Sequence, residues 1–313
     1  MRRNIRALTM RDDPYVIQFL SEKAKKYHMS NDKSTARLIR TNCEDGILRE
    51  IFHSAKIGNI YGNFGMYQSS VALAAVSLDT MPESREMIDW IFRDGEAIPS
   101  ADSSQASQVT GGNVMRQMIT SVDRNGVSNE ISPGYSDLWI GGLLRVVDAL
   151  AGYEGYPEMD LYRNPRFIKM LSYQGDIILS RRSSPAIGDT GATALNKIEI
   201  STARLIPAFE HTQNPLFAQM IYFLNGNKSD GLHYSVYQKN PNSLQNDIQA
   251  VISEYGEYDF DRSLQLPGYG FAALRSGSLY ELNGNRAYDT QRTFWMFYGR
   301  GAGHGHLDAL NLG

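Results

Sequence analysis

The sequence predicts a mainly α protein, with a helical domain over residues 1–260 and the start of an antiparallel β-sheet domain over residues 261–313. Up to about residue 240, apolar residues recur at helical spacing in one segment after another, without strand-like runs between them. After about residue 265, short strand-like runs alternate with turns that contain Gly and Pro. Successive antiparallel helices of this kind form a stack of helical hairpins or a toroid.

Eight helices are expected from the apolar periodicity and from the positions of Pro and Gly. They cover Pro14–Tyr27, Ser34–Lys56 with a break near Asp45-Gly46, Phe64–Leu78, Pro82–Phe92, Asn113–Val122, Asp137–Gly152, Pro165–Leu179 and Pro207–Leu224. The segments Glu96–Gly112 and Asn225–Asn246 are rich in small and polar residues and are predicted to be loops.

The β-sheet region is predicted from three strand-like runs and one further segment at the end of the chain. Leu266–Gly277 has the pattern turn, strand, turn, and Ser278–Leu282 and Arg292–Tyr298 are predicted to be strands. His304–Leu312 is predicted to be another strand. A sheet of roughly four strands that stops at Gly313 has the pattern of a sheet cut short.

Composition and charge exclude two broad classes of protein. The chain has 313 residues, a net charge of −3 and no cluster of Lys and Arg, whereas a nucleic-acid-binding protein carries a basic stripe. No stretch approaches the roughly 20 apolar residues that span a membrane, and Met1–Asn4 does not lead into the apolar run of a signal peptide. The sequence therefore predicts a protein that binds neither nucleic acid nor a membrane.

The most distinctive stretch is the glycine-rich run from Gly299 to Gly313. On an extended strand, His304, His306 and Asp308 would share one face, because side chains alternate with a period of two. Imidazole and carboxylate groups in this arrangement can bind a metal or an acidic substrate, although such pairs also occur as ordinary polar strand residues. A zinc site usually needs three or four ligands, and few residues follow Asp308.

Three stretches of the helical body contain side chains suited to chemistry. Asn63 precedes a strongly apolar helix, so it either faces an anion at the helix N-terminus or simply caps the helix. Tyr135 follows Ser132-Pro133-Gly134, a turn that would hold a phenol in place for proton transfer. Pro185–Gly191 is a Gly- and Asp-containing loop that is either a site or only a turn.

In their order and spacing, these stretches resemble those of the heparinase II/III-like polysaccharide lyases, over most of residues 58–313. The resemblance rests on Gly62–Gln68, Ser132–Tyr135, Ile187–Gly191, Leu266–Gly270 with Leu274–Gly277, and Gly303–Asp308. It implies an incomplete (α/α) toroid followed by antiparallel β-sheets. It also implies β-elimination on an acidic polysaccharide or oligosaccharide that contains uronic acid, in the periplasm or outside the cell.

The resemblance implies roles for individual residues. Asn63 would neutralise the uronate carboxylate, and Tyr135 and His304 would act as acid and base. Tyr67, Gln68 and Arg300 would contact the substrate. His306 would bind a structural zinc ion, whose other ligands would lie beyond Gly313.

The chain also departs from the family pattern. Family members often carry a histidine beside the neutralising Asn, where this sequence has Phe64 and Tyr67. Together with the short N-terminal region, these departures predict a fragment of a lyase or a shortened relative. Two alternatives stay open: a carbohydrate-binding relative without turnover, and a glycoside hydrolase that uses Glu130 and Asp189 as its two carboxylates.

Overall fold

The computed structural model describes residues 12–100, 107–190, 197–232, 241–277, 280–282, 285–287, 292–299 and 311–312. The described part of the chain is mainly α-helical with a small antiparallel sheet, so the predicted fold class is confirmed at that level. The helices are α1 Pro14–Lys26, α2 Ala36–Cys43, α3 Glu50–Lys56, α4 Met66–Leu78, α5 Glu83–Phe92, α6 Val114–Thr120, α7 Pro133–Leu150, α8 Pro165–Asp176, α9 Thr202–Thr212, α10 Pro215–Leu224 and α11 Pro241–Tyr255. None of the described helices combines the length and the apolar character needed to cross a membrane.

Most helices begin where the sequence signals place them. The carboxylate of Asp13 accepts from the amides of Tyr15 and Val16 at the start of α1, and Asn164 and Asn214 cap α8 and α10 in the same way. The predicted break near Asp45-Gly46 is a π-helical segment, Glu44–Arg49, that joins α2 to α3 without interrupting the helix. Gly46 has no Cβ atom, so its backbone can adopt the wider turn of a π-helical segment.

Two predictions about helix boundaries are wrong. The predicted helix Pro207–Leu224 is two helices, and Pro207 lies inside α9. A proline there removes one intrahelical hydrogen bond, but the neighbouring Leu205 and Ile206 are buried and hold the segment in place. The predicted loop Asn225–Asn246 ends at Pro241, where α11 begins, because Pro is well accommodated at the first helical position.

The predicted loop Glu96–Gly112 contains a short ladder in its described residues. Strand β1, Ala97–Ile98, pairs antiparallel with β2, Gln108–Val109. The side-chain amide of Asn113 also closes the loop, because its oxygen accepts from the Gly95 amide at 2.8 Å and its nitrogen donates to the Gly95 carbonyl at 2.9 Å. These bonds satisfy backbone groups that a loop without regular structure would leave to water.

The antiparallel sheet follows α11. Its strand order is β3 (Leu264–Leu266), β4 (Phe271–Ser276), β7 (Arg292–Phe297) and β8 (Asn311–Leu312), and β5 (Tyr280–Leu282) pairs separately with β6 (Asn285–Ala287). The strands predicted within 266–298 are confirmed, and β3 and β6 are additional. Of the predicted strand His304–Leu312, only Asn311 and Leu312 belong to the described residues.

The inner face of the sheet packs on the segment before α7 and on the end of α8 with the residues that follow it. Along β4 and β7, burial alternates with the period of two, so Phe271, Ala273, Trp295 and Phe297 are buried. The core cluster that contains them also includes Val127, Ile131, Tyr173, Ile177, Ile187, Leu266 and Tyr269. On the outer face, Leu274 and Phe294 are directly paired across the strands and are 64% and 52% exposed.

The chain folds as two compact units. One comprises residues 1–62, 67–113 and 153–156, and contains α1 to α3, α5 and most of α4. The other comprises residues 63–66, 114–152 and 157–313, and contains α6 to α11 with the sheet. The change from helices to strands near residue 260 therefore lies inside the second unit.

Candidate functional site

Helix α7 carries Tyr135 in its first turn. Ser132 is the N-cap, its hydroxyl accepts from the Tyr135 amide at 3.4 Å, and Pro133 occupies the first helical position. The helix begins one turn earlier than the predicted start at Asp137, so the turn expected before Tyr135 is part of the helix. The Tyr135 side chain is half-buried.

The loop Ile187–Thr190 is bonded to this helix start. The Ser132 and Thr190 hydroxyl oxygens are 2.8 Å apart, and the Thr190 hydroxyl donates to the Ile187 carbonyl at 2.7 Å. Because Thr190 has already given its proton to Ile187, Ser132 donates to Thr190. The Gly134 amide also donates to the Thr190 hydroxyl, at 3.4 Å. Two stretches that are far apart in the sequence are thus in direct contact.

The turn Pro267–Gly270 is bonded to the segment that leads into α7. The buried hydroxyl of Tyr269 donates to the Ile131 carbonyl at 2.7 Å. The Gly268 amide donates to the Asn125 side-chain oxygen, also at 2.7 Å. Gly270 has a φ of 77°, a conformation that favours glycine, and its carbonyl accepts from the Tyr298 amide at 2.7 Å.

The stretch that contains Asn63 approaches the second and third turns of α7. The rings of Phe64 and Trp139 have centroids 4.7 Å apart. A Cβ atom added to Gly65 would lie 2.6 Å from the Gly142 carbonyl carbon, and one added to Gly142 would lie 2.6 Å from the Phe64 carbonyl oxygen. The two backbones therefore touch, and both positions require glycine.

Asn63 is not the cap of helix α4. The helix begins at Met66, and the Asn63 backbone carbonyl accepts from the Met66 amide at 3.0 Å. The Asn63 side chain is half-buried and makes no hydrogen bond to any other described residue. Its amide is therefore available to a ligand as far as the described part of the chain is concerned.

The predicted substrate contacts Tyr67 and Gln68 lie in the first turn of α4. Gln68 is 1% exposed, and its amide donates to the Gly112 carbonyl at 2.9 Å, which is a structural contact. Tyr67 is half-buried, its ring is edge-on to Trp90 at 6.2 Å between centroids, and burial raises the pKa of its phenol. Their contact with a substrate stays a prediction.

A cavity of about 440 Å³ lies between the segment before α7 and the sheet. Its described lining consists of Thr120, Ser121, Val122, Asp123, Val127, Ser128, Asn129, Ile131, Pro267, Gly268, Tyr269, Gly270, Tyr298 and Gly299. Hydroxyl groups, one side-chain amide and two tyrosines therefore line the cavity together with Val, Ile, Pro and Gly residues. Tyr298-Gly299 leads directly into the run that contains Arg300, His304 and His306.

Asp123 is the charged residue among these lining residues. Its Oδ1 accepts from the amides of Asn125 at 2.7 Å and Val127 at 3.1 Å, so the carboxylate holds the turn that precedes α7. Desolvation raises the pKa of this carboxyl, although the surrounding backbone amides act in the opposite direction.

A buried hydrogen-bond network lies beneath the start of α7. The Gln174 amide donates to the Tyr173 hydroxyl at 2.9 Å and to the Pro133 carbonyl at 3.2 Å. Ser136 is hydrogen-bonded to Ser128 at 2.9 Å, which connects the helix to the cavity wall. Burial strongly raises the pKa of the Tyr173 phenol, so this hydroxyl stays protonated and serves as a fixed bonding group.

Charged side chains surround the exposed side of the same helix turn. Arg204 on α9 is bonded to Asp137 at 3.2 and 3.3 Å, and its guanidinium lies where a side chain on Gly141 would be. Burial raises the pKa of Asp137 despite this cation. Lys197 forms an ion pair of 2.8 Å with Glu199, whose carboxylate is 3.7 Å from the Cβ position of Gly134.

Sequence reasoning missed several of these side chains, notably Asp123, Tyr173, Gln174 and Arg204. Asp123-Arg124-Asn125-Gly126 has the composition of a tight turn, and that signal could have drawn attention to Asp123. The other three lie in helices with no local motif, and only the packing of α8 and α9 brings them to α7.

Arg300, His304 and His306 lie outside the described residues, so their predicted roles stay predictions. Within the residues that the structure describes, no group of three or more His, Cys, Asp or Glu side chains could hold a metal ion. No protein-family model matches the chain, and no curated protein or solved structure is significantly similar to it.

Proposed function

We propose that the chain belongs to the heparinase II/III-like polysaccharide lyases and that its helices form an incomplete (α/α) toroid. The proposed reaction is β-elimination on an acidic polysaccharide or oligosaccharide that contains uronic acid, in the periplasm or outside the cell. The supporting observation is that three of the five stretches behind the resemblance contact the fourth or the helix it starts. Ser132–Tyr135 begins α7, Thr190 bonds to Ser132, Phe64 and Gly65 contact later turns of the helix, and Tyr269 bonds to Ile131 just before it. The fifth, Gly303–Asp308, lies outside the described residues.

The convergence supports the proposal because the stretches are far apart in the sequence. Ser132 and Thr190 are separated by 58 positions, and Tyr269 and Ile131 by 138. Residues that only build a core are usually apolar. These stretches meet partly through an apolar ring contact, Phe64 with Trp139, and partly through buried hydroxyl groups and closely packed glycines. Polar residues brought together from distant segments are typical of a site that the fold holds in place.

The proposed mechanism requires one proton to leave C5 of the uronate and another to reach the departing oxygen on C4. The side-chain amide of Asn63 donates a hydrogen bond to the uronate carboxylate. This bond reduces the negative charge on the carboxylate, so the C5 proton becomes more acidic. A base, Tyr135 or His304, removes this proton, the electron pair forms the C4=C5 double bond, and the C4–O4 bond breaks. The other of the two residues, or the same phenol after proton transfer, protonates O4.

Two structural features suit these roles. The Tyr135 backbone is fixed by the Ser132 cap and by the bond from Ser132 to Thr190, so its phenol projects from a rigid helix turn. The Asn63 side chain makes no hydrogen bond to another described residue. His306 is proposed to hold a structural zinc ion together with further ligands. Zinc would stabilise the fold there, and none of the steps above depends on it.

The test is the absorbance of the conjugated C4=C5 double bond while the chain is incubated with a panel of uronic-acid polysaccharides. Tyr135→Phe should abolish the signal and leave the melting temperature unchanged. Tyr255→Phe, at a tyrosine that is 56% exposed on α11, is the matched control and should retain full activity. An unchanged rate in Tyr135→Phe would remove the proposed role of the phenol.

The second candidate function is carbohydrate binding without turnover. It is favoured by the cavity of about 440 Å³, whose described lining has hydroxyl, amide and tyrosine groups but does not include Tyr135. In this case polysaccharides would bind with the same affinity to the unaltered chain and to Tyr135→Phe, and no unsaturated product would form.

A further inference from the structure

Helix α1 presents aromatic and basic side chains to solvent. Its buried residue is Ala24, and Ile17 and Leu20 on the same side of the helix are partly buried. At about 100° per residue, the side of the helix turned away from these residues is a solvent face that consists of Tyr15, Phe19, Lys23 and Lys26, all of them exposed. Tyr15 is 77% exposed and Phe19 is 47% exposed, so this face holds two large aromatic rings in contact with water.

The ammonium groups near the end of α1 lie over aromatic rings. Lys23 Nζ is 5.1 Å from the centre of the Phe19 ring, and Lys26 Nζ is 5.4 Å from the centre of the Tyr27 ring, which is also exposed. Neither lysine forms an ion pair with another residue in the described part of the chain. The ring faces attract the two cations without neutralising them, so their charge is available to an external anion.

The charge of the chain is unevenly distributed around this helix. Residues 23–40 contain six Lys and Arg residues and a single acid, Asp32, although the whole chain has a net charge of −3. Glu22 is the acid that lies beside the solvent face, where it is exposed and accepts from the Gln18 amide at 3.0 Å. A basic segment that begins on an exposed helix within an acidic chain favours an anionic partner.

We infer that the solvent face of α1 binds the surface of a bilayer that contains anionic phospholipid, with the helix axis parallel to that surface. The lysines reach the lipid phosphates, which supply the negative charge that complements them. The rings of Tyr15 and Phe19 enter the headgroup layer, where aromatic side chains are favoured. The solvent face is the convex side of a single helix, and a bilayer surface adapts to such a shape.

Such binding would not depend on the proposed lyase activity, and it revises the sequence-based prediction that the chain binds no membrane. That prediction concerns helices that cross a bilayer, which need about 20 apolar residues. Helix α1 has 13 residues and would lie on one surface. Its affinity should fall as salt is added, because exposed charges are screened by ions.

The test is co-sedimentation of the full chain with vesicles. One set of vesicles is an equimolar mixture of phosphatidylglycerol and phosphatidylcholine, and the other set is phosphatidylcholine alone. The unaltered chain should bind the first set and not the second. Lys23→Gln and Lys26→Gln should each weaken binding about 5-fold, as expected for the loss of one basic residue near an anionic surface.

Three further variants separate the charge from the aromatic rings. Glu22→Gln removes the acid beside the solvent face and should strengthen binding to the anionic vesicles. Phe19→Ser removes one ring and should weaken this binding, while circular dichroism shows that the helices are retained. Lys228→Gln, at an exposed lysine after α10, is the matched control and should leave binding unchanged.

Each contrary outcome would overturn the inference. These outcomes are equal binding to both sets of vesicles, no binding to either set, and unchanged binding in both lysine variants. Weaker binding in the lysine variants together with unchanged binding in Phe19→Ser would indicate a site for another kind of polyanion, such as an acidic protein segment, and would also overturn it. None of the altered residues belongs to the proposed catalytic site, so these outcomes leave the lyase proposal as it stands.

Discussion

The Ser132 and Thr190 hydroxyl oxygens are 2.8 Å apart, and this contact joins the start of helix α7 to the Ile187–Thr190 loop. Both residues are buried, at 0% and 6% exposure. The Thr190 hydroxyl also accepts from the Gly134 amide and donates to the Ile187 carbonyl. One hydroxyl therefore connects the helix cap, the first helical turn and the loop. It fixes the backbone position from which the Tyr135 side chain extends.

Thr190→Val should destabilise the protein. The substitution keeps the shape of the side chain but leaves the buried Ser132 hydroxyl and the Ile187 carbonyl without their partner, at a cost of about 1–3 kcal/mol in the free energy of unfolding. Thr190→Ser keeps the hydroxyl and should lose much less. Urea denaturation of the three proteins measures the difference. A loss for serine larger than that for valine would show that packing of the Thr190 methyl group, rather than its hydroxyl, matters there.

Gly142→Ala should destabilise the chain although alanine is the better helix former. The added methyl group would lie 2.6 Å from the Phe64 carbonyl oxygen, and the backbone around Gly65 would have to move. Overpacking of this kind costs about 1–3 kcal/mol and exceeds the gain in helix propensity of about 1 kcal/mol. Gly46→Ala is the matched control, because a methyl group there meets no atom within 4 Å. Thermal unfolding should show a lower midpoint for Gly142→Ala and no decrease for Gly46→Ala.

The free energy of unfolding of Asp137→Asn should increase relative to that of the unaltered chain as the pH rises. Burial raises the pKa of Asp137 above its ordinary value of 3.8, so the folded state binds more protons than the unfolded state between the two values. Ionisation of Asp137 therefore reduces the stability of the unaltered chain as the pH rises through this window. Asparagine does not ionise and escapes this loss.

The measurement for Asp137→Asn is the free energy of unfolding of both proteins at several pH values from about 4 upward. The difference, variant minus unaltered chain, should increase with pH until the folded carboxyl is fully ionised. A difference that stays constant or falls would mean that the bond to Arg204 outweighs desolvation in setting this pKa.

The sequence predicts the helices of this protein better than their junctions. Apolar periodicity and capping residues such as Asp13 and Asn164 are local, and α1 and α8 begin at the predicted residues for that reason. Pro207 misleads because its local effect favours a helix start, whereas the buried neighbours Leu205 and Ile206 override it. The start of α11 at Pro241 was missed because polar residues surround it.

The candidate site was only partly predictable for the same reason. Tyr135 is preceded by a recognisable Ser-Pro-Gly turn, and its place at the start of a helix follows from local rules. Asp123 belongs to a turn that could have been noticed, but its cavity is formed with Pro267–Gly270, more than a hundred residues later. Contacts over such separations leave no periodic signal in a single sequence.

The paired glycines Gly65 and Gly142 have a consequence for the motion of helix α7. Backbone contact at the third turn and the hydroxyl bond to Thr190 at the start of the helix oppose any shift of the helix along its axis. Amide hydrogens of residues 140–144, all of them buried, should consequently be among the last in the protein to exchange with deuterium. The turn Pro267–Gly270 on the cavity edge, whose Pro267 and Gly268 are exposed, can therefore move while Tyr135 stays where it is.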